Sequence, residues 1–220
     1  MADRPERSRK MIKKHLKTLI VTSIVILLPV VAGLILWDQL PDKIPTHWNA
    51  AGEIDGWSGK AFAILGLPGI MLAVQWLCAL GTAADPKKQN HSEKVMHLIL
   101  WIVPALTVLL MAMTFATALG VAVKVEMIMP VVIGLVLAIV GNYLPKCKQS
   151  YTVGIKIPWT LDSEENWNRT HRFAGPIWVV GGIVLMLTGF FGGFEIFFGV
   201  SLVMVFAPII YSYMLHRKGI

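Results

Sequence analysis

Long apolar runs separated by polar segments dominate the hydrophobic pattern of this 220-residue chain. A helix needs roughly 20 apolar residues to cross a bilayer core that is about 30 Å thick. Six runs approach or exceed this length, although the fifth is short. They cover residues 18–37, 61–82, 95–120, 127–144, 176–190 and 194–214. The pattern therefore predicts an all-α integral membrane protein with six transmembrane helices.

Composition supports this class, and the distribution of charge predicts an orientation. Hydrophobic residues make up 55% of the chain and charged residues only 15%. None of the 20 lysines and arginines falls in a predicted span; 17 lie on one side and only Lys43, Lys60 and Lys124 on the other. Because basic residues that flank spans stay in the cytoplasm, both termini are predicted to be cytoplasmic. The net charge of +7 then indicates a lipid bilayer as partner, with no direct nucleic-acid binding.

Two long polar loops divide the chain into two halves, residues 1–120 and 121–220. The outer loop, residues 38–60, follows the first span, and the inner loop, residues 145–175, follows the fourth. Each half thus reads as three spans with a long first loop, in opposite orientations. Both loops open with Leu-Pro and later carry Ile-Pro beside a tryptophan. The halves are either divergent inverted repeats, which build many membrane folds, or a chance similarity.

The outer loop has the residues of a rigid segment that displays aromatic side chains. Prolines fix the backbone, and an Asp-Gly pair indicates a turn. His47 and the nearby carboxylates could bind a divalent cation, but no pair has a recognised metal-site spacing, and we predict no metal. The tryptophans either pack at the headgroup level or form a binding surface. The candidate ligand-facing residues are Pro45, His47, Trp48, Asp55, Gly56 and Trp57.

The inner loop, which includes "TVGIKIPWTLDSEENWNRTHRFAG", predicts a capped helix. Asp162 is a good N-cap with Glu165 three residues on, and Glu165 and Arg169 form an i,i+4 pair. We therefore expect a helix over residues 163–173, with Trp167, His171 and the following Ala174 on one face. The preceding residues 151–160 indicate an extended or re-entrant segment. The loop is either an interfacial element that covers helix ends or a cytoplasmic docking surface, and these roles are compatible.

No motif for catalysis appears, so the chain is not expected to be an enzyme or to hold a cofactor. The spans contain no paired carboxylates and almost no ionisable residues, which usually mark transport paths. Three interpretations remain open. They are a binding and signalling protein, a small membrane transporter or channel, and a membrane enzyme that uses His47 and the outer carboxylates.

Both loops resemble known families. The stretch "LPDKIPTHWNAAGEIDGW" resembles the membrane domain called DUF1648, and "GNYLPKCKQSYTVGIKIPWTLDSEENWNRTHRFAG" resembles the SdpI family. The residues that fit the second pattern are Gly154, Pro158, Trp159, Thr160, Trp167, Arg172 and Phe173. Lys156 stands where that pattern has arginine, and lysine keeps the charge but loses the planar fork.

The resemblance implies a receptor and immunity role in a bacterial cell membrane. Members of this family protect their producer from a secreted peptide toxin, the sporulation-delaying toxin of bacilli. With toxin present, they also hold a cytoplasmic winged-helix autorepressor at the membrane. The outer loop would then face the toxin. The inner loop would dock the repressor through Gly154, Lys156, Pro158, Trp159, Thr160, Trp167 and Arg172.

Overall fold

A computed structural model describes residues 4–87, 90 and 92–220, and for residues 4–10 only the helical backbone. Lys88, one of the basic residues behind the predicted orientation, lies outside this range. The regular elements are α1 Arg4–Ile35, β1 Lys43–Trp48, β2 Ile54–Gly59, a π-helical turn Phe62–Gly66, α2 Leu67–Ala84, α3 Glu93–Ala118, α4 Val125–Tyr143, a 3-10 turn Leu144–Lys146, α5 Pro158–Asp162, α6 Glu164–Phe191 and α7 Phe194–Arg217.

The prediction of six membrane-spanning helices is confirmed. Among the described residues, six helices are long and apolar enough to cross a membrane. The fifth differs from expectation, because the predicted loop helix over 163–173 and the predicted span over 176–190 are one helix, α6. Pro176 lies inside it without ending it. Membrane helices tolerate proline where neighbouring groups satisfy the freed backbone.

The chain forms two compact units. The first comprises Met1–Ala84 with Met96–Val125, and the second comprises Asp85–Val95 with Glu126–Ile220. The link between α2 and α3 thus clusters with the second unit, not with the helices that flank it in sequence. The cause is a set of hydrogen bonds that the Asp85 carboxylate accepts from the inner loop.

In the first unit, one buried amide joins three helices. The Gln75 Nε2 group on α2 donates to Thr22 Oγ1 of α1 at 3.0 Å and to the Leu100 carbonyl oxygen of α3 at 2.8 Å. Gln75 is fully buried. Polar bonds of this kind between spans stabilise helix association in lipid. Gln75 therefore acts as a structural bridge inside the first unit.

The outer loop folds into a β-hairpin, an addition to the otherwise helical chain. Strands β1 and β2 pair antiparallel with irregular register near His47. The Asn49 side chain closes the turn, since its Oδ1 accepts from the Ala51 and Glu53 amides at 2.9 and 3.0 Å. The sequence predicted a folded loop but not strands, because β1 contains a proline and β2 two glycines. One face of the hairpin packs on a buried cluster that includes Leu40, Ile44, Ile64 and Met111.

In the second unit, helices α4 and α6 approach closely through glycines. A Cβ atom placed on Gly182 would lie 2.4 Å from the Gly134 carbonyl oxygen. That distance leaves no room for a side chain at Gly182, and a Cβ on Gly134 would be equally close to the Gly182 carbonyl oxygen. Small residues at helix crossings let backbones approach and gain packing energy in lipid. The two glycines therefore set the α4–α6 distance.

Candidate functional site

The centre of the inner loop is a buried tryptophan. Trp167 on α6 is 0% exposed and stacks on His171, with ring centroids 4.0 Å apart. Its Nε1 group donates to the Cys147 carbonyl oxygen at 2.8 Å. Gly154 lies over both rings with φ +117°, and a Cβ there would be 2.6 Å from each of them. The loop therefore folds back over its own helix and encloses Trp167.

His171 holds the loop backbone in place. Its Nε2 accepts a hydrogen bond from the Ile155 amide at 2.9 Å. Its Nδ1 lies 2.8 Å from the Trp167 carbonyl oxygen. Since one ring nitrogen accepts, the other donates, which assigns the neutral Nδ1–H tautomer. His171 is therefore a buried structural histidine that fixes residues 154–155.

A carboxylate outside the loop also secures it. Asp85, which directly follows α2, is 2% exposed. Its Oδ2 accepts from the Tyr151 amide, the Thr152 amide and Thr152 Oγ1, at 2.9, 3.0 and 2.7 Å. Its Oδ1 accepts from the Lys87 amide at 2.7 Å. These bonds connect two segments that are more than 60 residues apart, and they place the α2–α3 link in the second unit.

Gln149 makes a second connection between the same segments. Its buried Nε2 donates to the Thr160 and Leu161 carbonyl oxygens at 2.7 and 2.9 Å, and its Oε1 accepts from Lys87 Nζ. Asn90 donates to the Gln149 carbonyl oxygen at 2.7 Å. Sequence reasoning missed Asp85 and Gln149. An isolated polar residue in a loop gives no signal that identifies its distant partner.

The short helix α5 attaches to the end of α7. Trp159 packs on Tyr213 and His216, with ring centroids 5.1 and 5.9 Å apart. The Thr160 hydroxyl contacts the backbone at Ile155 and Ile157, closing the turn that enters α5. Residues 158–162 are therefore a fixed part of this end of the second unit.

The predicted docking residues divide into two groups. Trp167 and Thr160 are fully buried, so the prediction that they form an exposed docking face is wrong. Gly154 is enclosed by Trp167 and His171 and serves the loop fold. The other predicted residues reach the surface: Lys156, Pro158 and Arg172 are exposed, and Trp159 is half-buried.

The predicted helix start is displaced by one residue. Ser163, not Asp162, is the N-cap of α6, and its Oγ accepts from the Asn166 amide at 3.2 Å. Asp162 is the last residue of α5, so it already has helical backbone and cannot cap the next helix. The predicted pair between Glu165 and Arg169 is present at 2.5 Å.

Replacing Ser163 by alanine should destabilise the protein by about 1 kcal/mol, since it removes the acceptor for a free amide of the first turn. Asp162→Ala is the matched control, because its exposed carboxylate caps no helix, and we expect little change. Thermal unfolding of the purified full chain measures both. An equal or larger loss for Asp162→Ala would contradict the assigned cap.

Cys147, whose carbonyl oxygen accepts from Trp167, carries an unreactive thiol. Burial raises the pKa of the Cys147 thiol to about 11, although lysines flank it in sequence. The thiol therefore stays protonated near neutral pH and is a poor nucleophile.

The hairpin exposes some of the residues predicted to face a ligand and buries others. Pro45 is buried, Trp48 is half-buried, and Gly56 fits against the His47 Cβ with no space for a side chain. Trp57 is 56% exposed. His47 and Asp55 are exposed and pair across the strands, with Nδ1 and Oδ1 2.5 Å apart. Among the described residues, no group of three or more histidines, cysteines or carboxylates could hold a metal ion.

Lys60 fastens the hairpin to the end of α1. Its Nζ donates to the Trp37 carbonyl oxygen at 3.1 Å and lies 5.4 Å from the Trp37 ring centroid. Asp42 Oδ1 lies 3.5 Å from Lys60 Nζ. The hairpin is therefore held as a rigid unit from which Trp57 and His47 project.

The six spans, with a rigid hairpin on one long loop and an enclosed tryptophan under the other, define a multi-pass helical membrane protein. Residues 146–212 match the family model of the SdpI/YfhL protein family, and residues 24–72 match the domain of unknown function DUF1648. The resemblance predicted from the two loops is thereby confirmed.

One relative matches nearly the whole chain. The chain is 26% identical over 201 residues to the immunity protein SdpI of Bacillus subtilis (strain 168). The aligned region covers 90% of this chain and 93% of that protein. No solved structure shows a significant match. The relative is an immunity protein, which is a different class from the enzymes.

Proposed function

We propose that this chain is a bacterial membrane immunity protein that protects its cell against a secreted peptide toxin. The observation that carries this proposal is the similarity to an immunity protein along nearly the full length of both chains. Full-length similarity includes both long loops, so it supports a shared function more strongly than a shared set of apolar helices would.

The hairpin is the proposed toxin-facing surface. It is rigid, and it exposes Trp57 beside the pair of His47 and Asp55. Exposed aromatic residues on a fixed scaffold are typical centres of binding surfaces. Trp48, Pro45 and Gly56 are less accessible and support the strand geometry. In this proposal they position Trp57.

The docking surface proposed for a cytoplasmic winged-helix repressor consists of Lys156, Pro158 and Trp159. Lys156 and Pro158 are exposed, and Trp159 presents part of its ring. The hydrogen bonds of Asp85, Gln149 and His171 fix the loop that carries them. Arg172 is left out of this surface, because it lies on α6 one turn before the apolar part of that helix.

Expression of the chain in a toxin-sensitive bacterium should rescue growth in the presence of a secreted toxin of the sporulation-delaying class. Trp57→Ala should reduce the rescue at unchanged protein level, because Trp57 has little packing to lose. Leu187→Ala is a matched control that also shortens an exposed apolar side chain. No rescue by the wild-type chain, or solute flux through the protein in liposomes, would favour another function.

Reporter fusions test the proposed orientation. A reporter fused to the C-terminal end should be active only in the format that requires the cytoplasm, since 17 of 20 basic residues lie on that side. A reporter inserted at Ala50 in the hairpin turn should show the opposite activity. The same signal at both positions would contradict the proposed topology.

Recruitment of the repressor is a separate test. A Lys156→Ala, Trp159→Ala double variant should lower the membrane-bound fraction of the co-expressed repressor while toxin protection persists. Lys148→Ala, which removes an exposed charge from the same loop, is the control. Wild-type recruitment by the double variant would exclude this docking surface, and a joint loss of protein level and protection would make the loop a scaffold.

A further inference from the structure

An apolar groove runs along the surface between α6 and α7. Its volume is about 640 Å³, within the range of small-molecule sites, and its lining is almost entirely apolar. Pro176, Val180 and Val184 of α6 form one wall, and Gly199 and Val203 of α7 belong to the other. Both helices are membrane-spanning by length and composition. The groove therefore opens toward the hydrocarbon of a bilayer.

A cation stands at one end of the groove. Arg172 lies one helical turn before Pro176, and residues four apart share a helix face, so Arg172, Pro176, Val180 and Val184 form one row. Arg172 is exposed, and no described residue forms an ion pair or hydrogen bond with it. Arg169, by contrast, is paired with Glu165. The groove thus has an apolar body and a single basic entrance.

The length of this site fits one leaflet of a bilayer. From Arg172 to Val184 is 12 residues, or roughly 18 Å along the helix axis. Half of the hydrocarbon core measures about 15 Å. A second spanning helix would need a contact surface through the whole hydrocarbon core, which is about 30 Å thick. The dimensions therefore favour an acyl chain over a transmembrane helix.

We propose that this groove binds an anionic phospholipid, with the headgroup phosphate on Arg172 and one acyl chain between α6 and α7. An arginine matches phosphate geometry through its planar fork. Basic residues beside spans attract anionic lipids by about 1 kcal/mol each, equivalent to about fivefold in affinity. The inference concerns lipid alone and is independent of the immunity role.

Native mass spectrometry of the purified full chain tests the site. The probes are phosphatidylglycerol and phosphatidylcholine with identical acyl chains. The wild-type chain should bind phosphatidylglycerol about fivefold more tightly. Arg172→Ala should remove this preference and still bind phosphatidylcholine, whereas Lys148→Ala should retain the preference. Equal affinity of the wild-type chain for both lipids would overturn the headgroup assignment.

Filling the groove tests the acyl-chain assignment. A Cβ on Gly199 meets nothing within 4 Å, so Gly199→Leu should fold and should lose tight binding of both lipids. Gly69→Leu on α2 is the matched control, since a Cβ there also meets nothing. Val180→Phe fills the groove from the other helix. Unchanged lipid binding in both filled variants would overturn the proposal, as would a wild-type dimer that Gly199→Leu converts to a monomer with the same bound lipid.

Discussion

Replacing Trp167 by alanine should cost about 3–5 kcal/mol of stability and greatly reduce the amount of folded protein in the membrane. The indole is fully buried, stacks on His171 and donates to the Cys147 carbonyl oxygen. Its removal leaves a cavity under Gly154 and deprives the part-buried Cys147 carbonyl oxygen of this donor. Thermal unfolding of the purified full chain in detergent, monitored by size-exclusion chromatography, measures the loss.

Two further variants separate burial from hydrogen bonding at this position. Trp167→Phe keeps an aromatic ring on His171 but cannot donate to Cys147, so its cost should be the smaller one, about 1–3 kcal/mol. Trp57→Ala removes the same side chain from the exposed face of the hairpin and should change stability little. If Trp167→Ala unfolds at the wild-type temperature, the enclosed arrangement of the loop is wrong.

Replacing Asp85 by alanine should release the α2–α3 link from the inner loop and cost about 3 kcal/mol, because hydrogen bonds to a charged group are strong and several are lost at once. The carboxylate accepts from the amides of Tyr151 and Thr152 and from the Thr152 hydroxyl. Limited proteolysis should show faster cleavage between residues 145 and 160, together with a lower unfolding temperature.

Asp162→Ala is the matched control for Asp85→Ala, since it removes an exposed carboxylate near the same loop. Asp85→Asn adds a finer test. The amide keeps the size of the side chain and one acceptor oxygen but loses the charge, so its stability should fall between the wild type and Asp85→Ala. Equal proteolysis rates in Asp85→Ala and Asp162→Ala would show that the loop does not depend on the carboxylate.

Some features of the site could be predicted from local patterns and others could not. The spacing of Trp167, His171 and Ala174 predicted one helix face, and all three are buried. The pattern could not reveal whether that face meets a partner protein or the chain's own loop, because both surfaces require the same residue types. In the structure the face meets the chain's own loop, because Gly154 lies over the rings of Trp167 and His171. This position of Gly154 depends on a backbone angle that the sequence does not specify.

The helix start shows a similar limit. Asp162 and Ser163 are both good N-caps, and local propensity does not choose between adjacent candidates. The choice follows from α5, which begins after Ile157 and ends at Asp162. Packing of Trp159 on the end of α7 holds that short helix in place. A tertiary contact therefore explains why the observed N-cap is Ser163 and not the predicted Asp162.

The number of spans, their approximate positions and the resemblance carried by the two loops could all be predicted from the amino-acid sequence. Lipid offers no hydrogen bonds, so each membrane span of this chain is a long apolar helix. Long apolar runs can be recognised directly in the sequence. The partners of Asp85 and Gln149, the burial of Trp167 and the hairpin in the outer loop became evident only in the folded chain. Asp85 and Gln149 bond groups that are between 11 and 67 residues away in the chain, and no local period in the sequence records which donor bonds which acceptor.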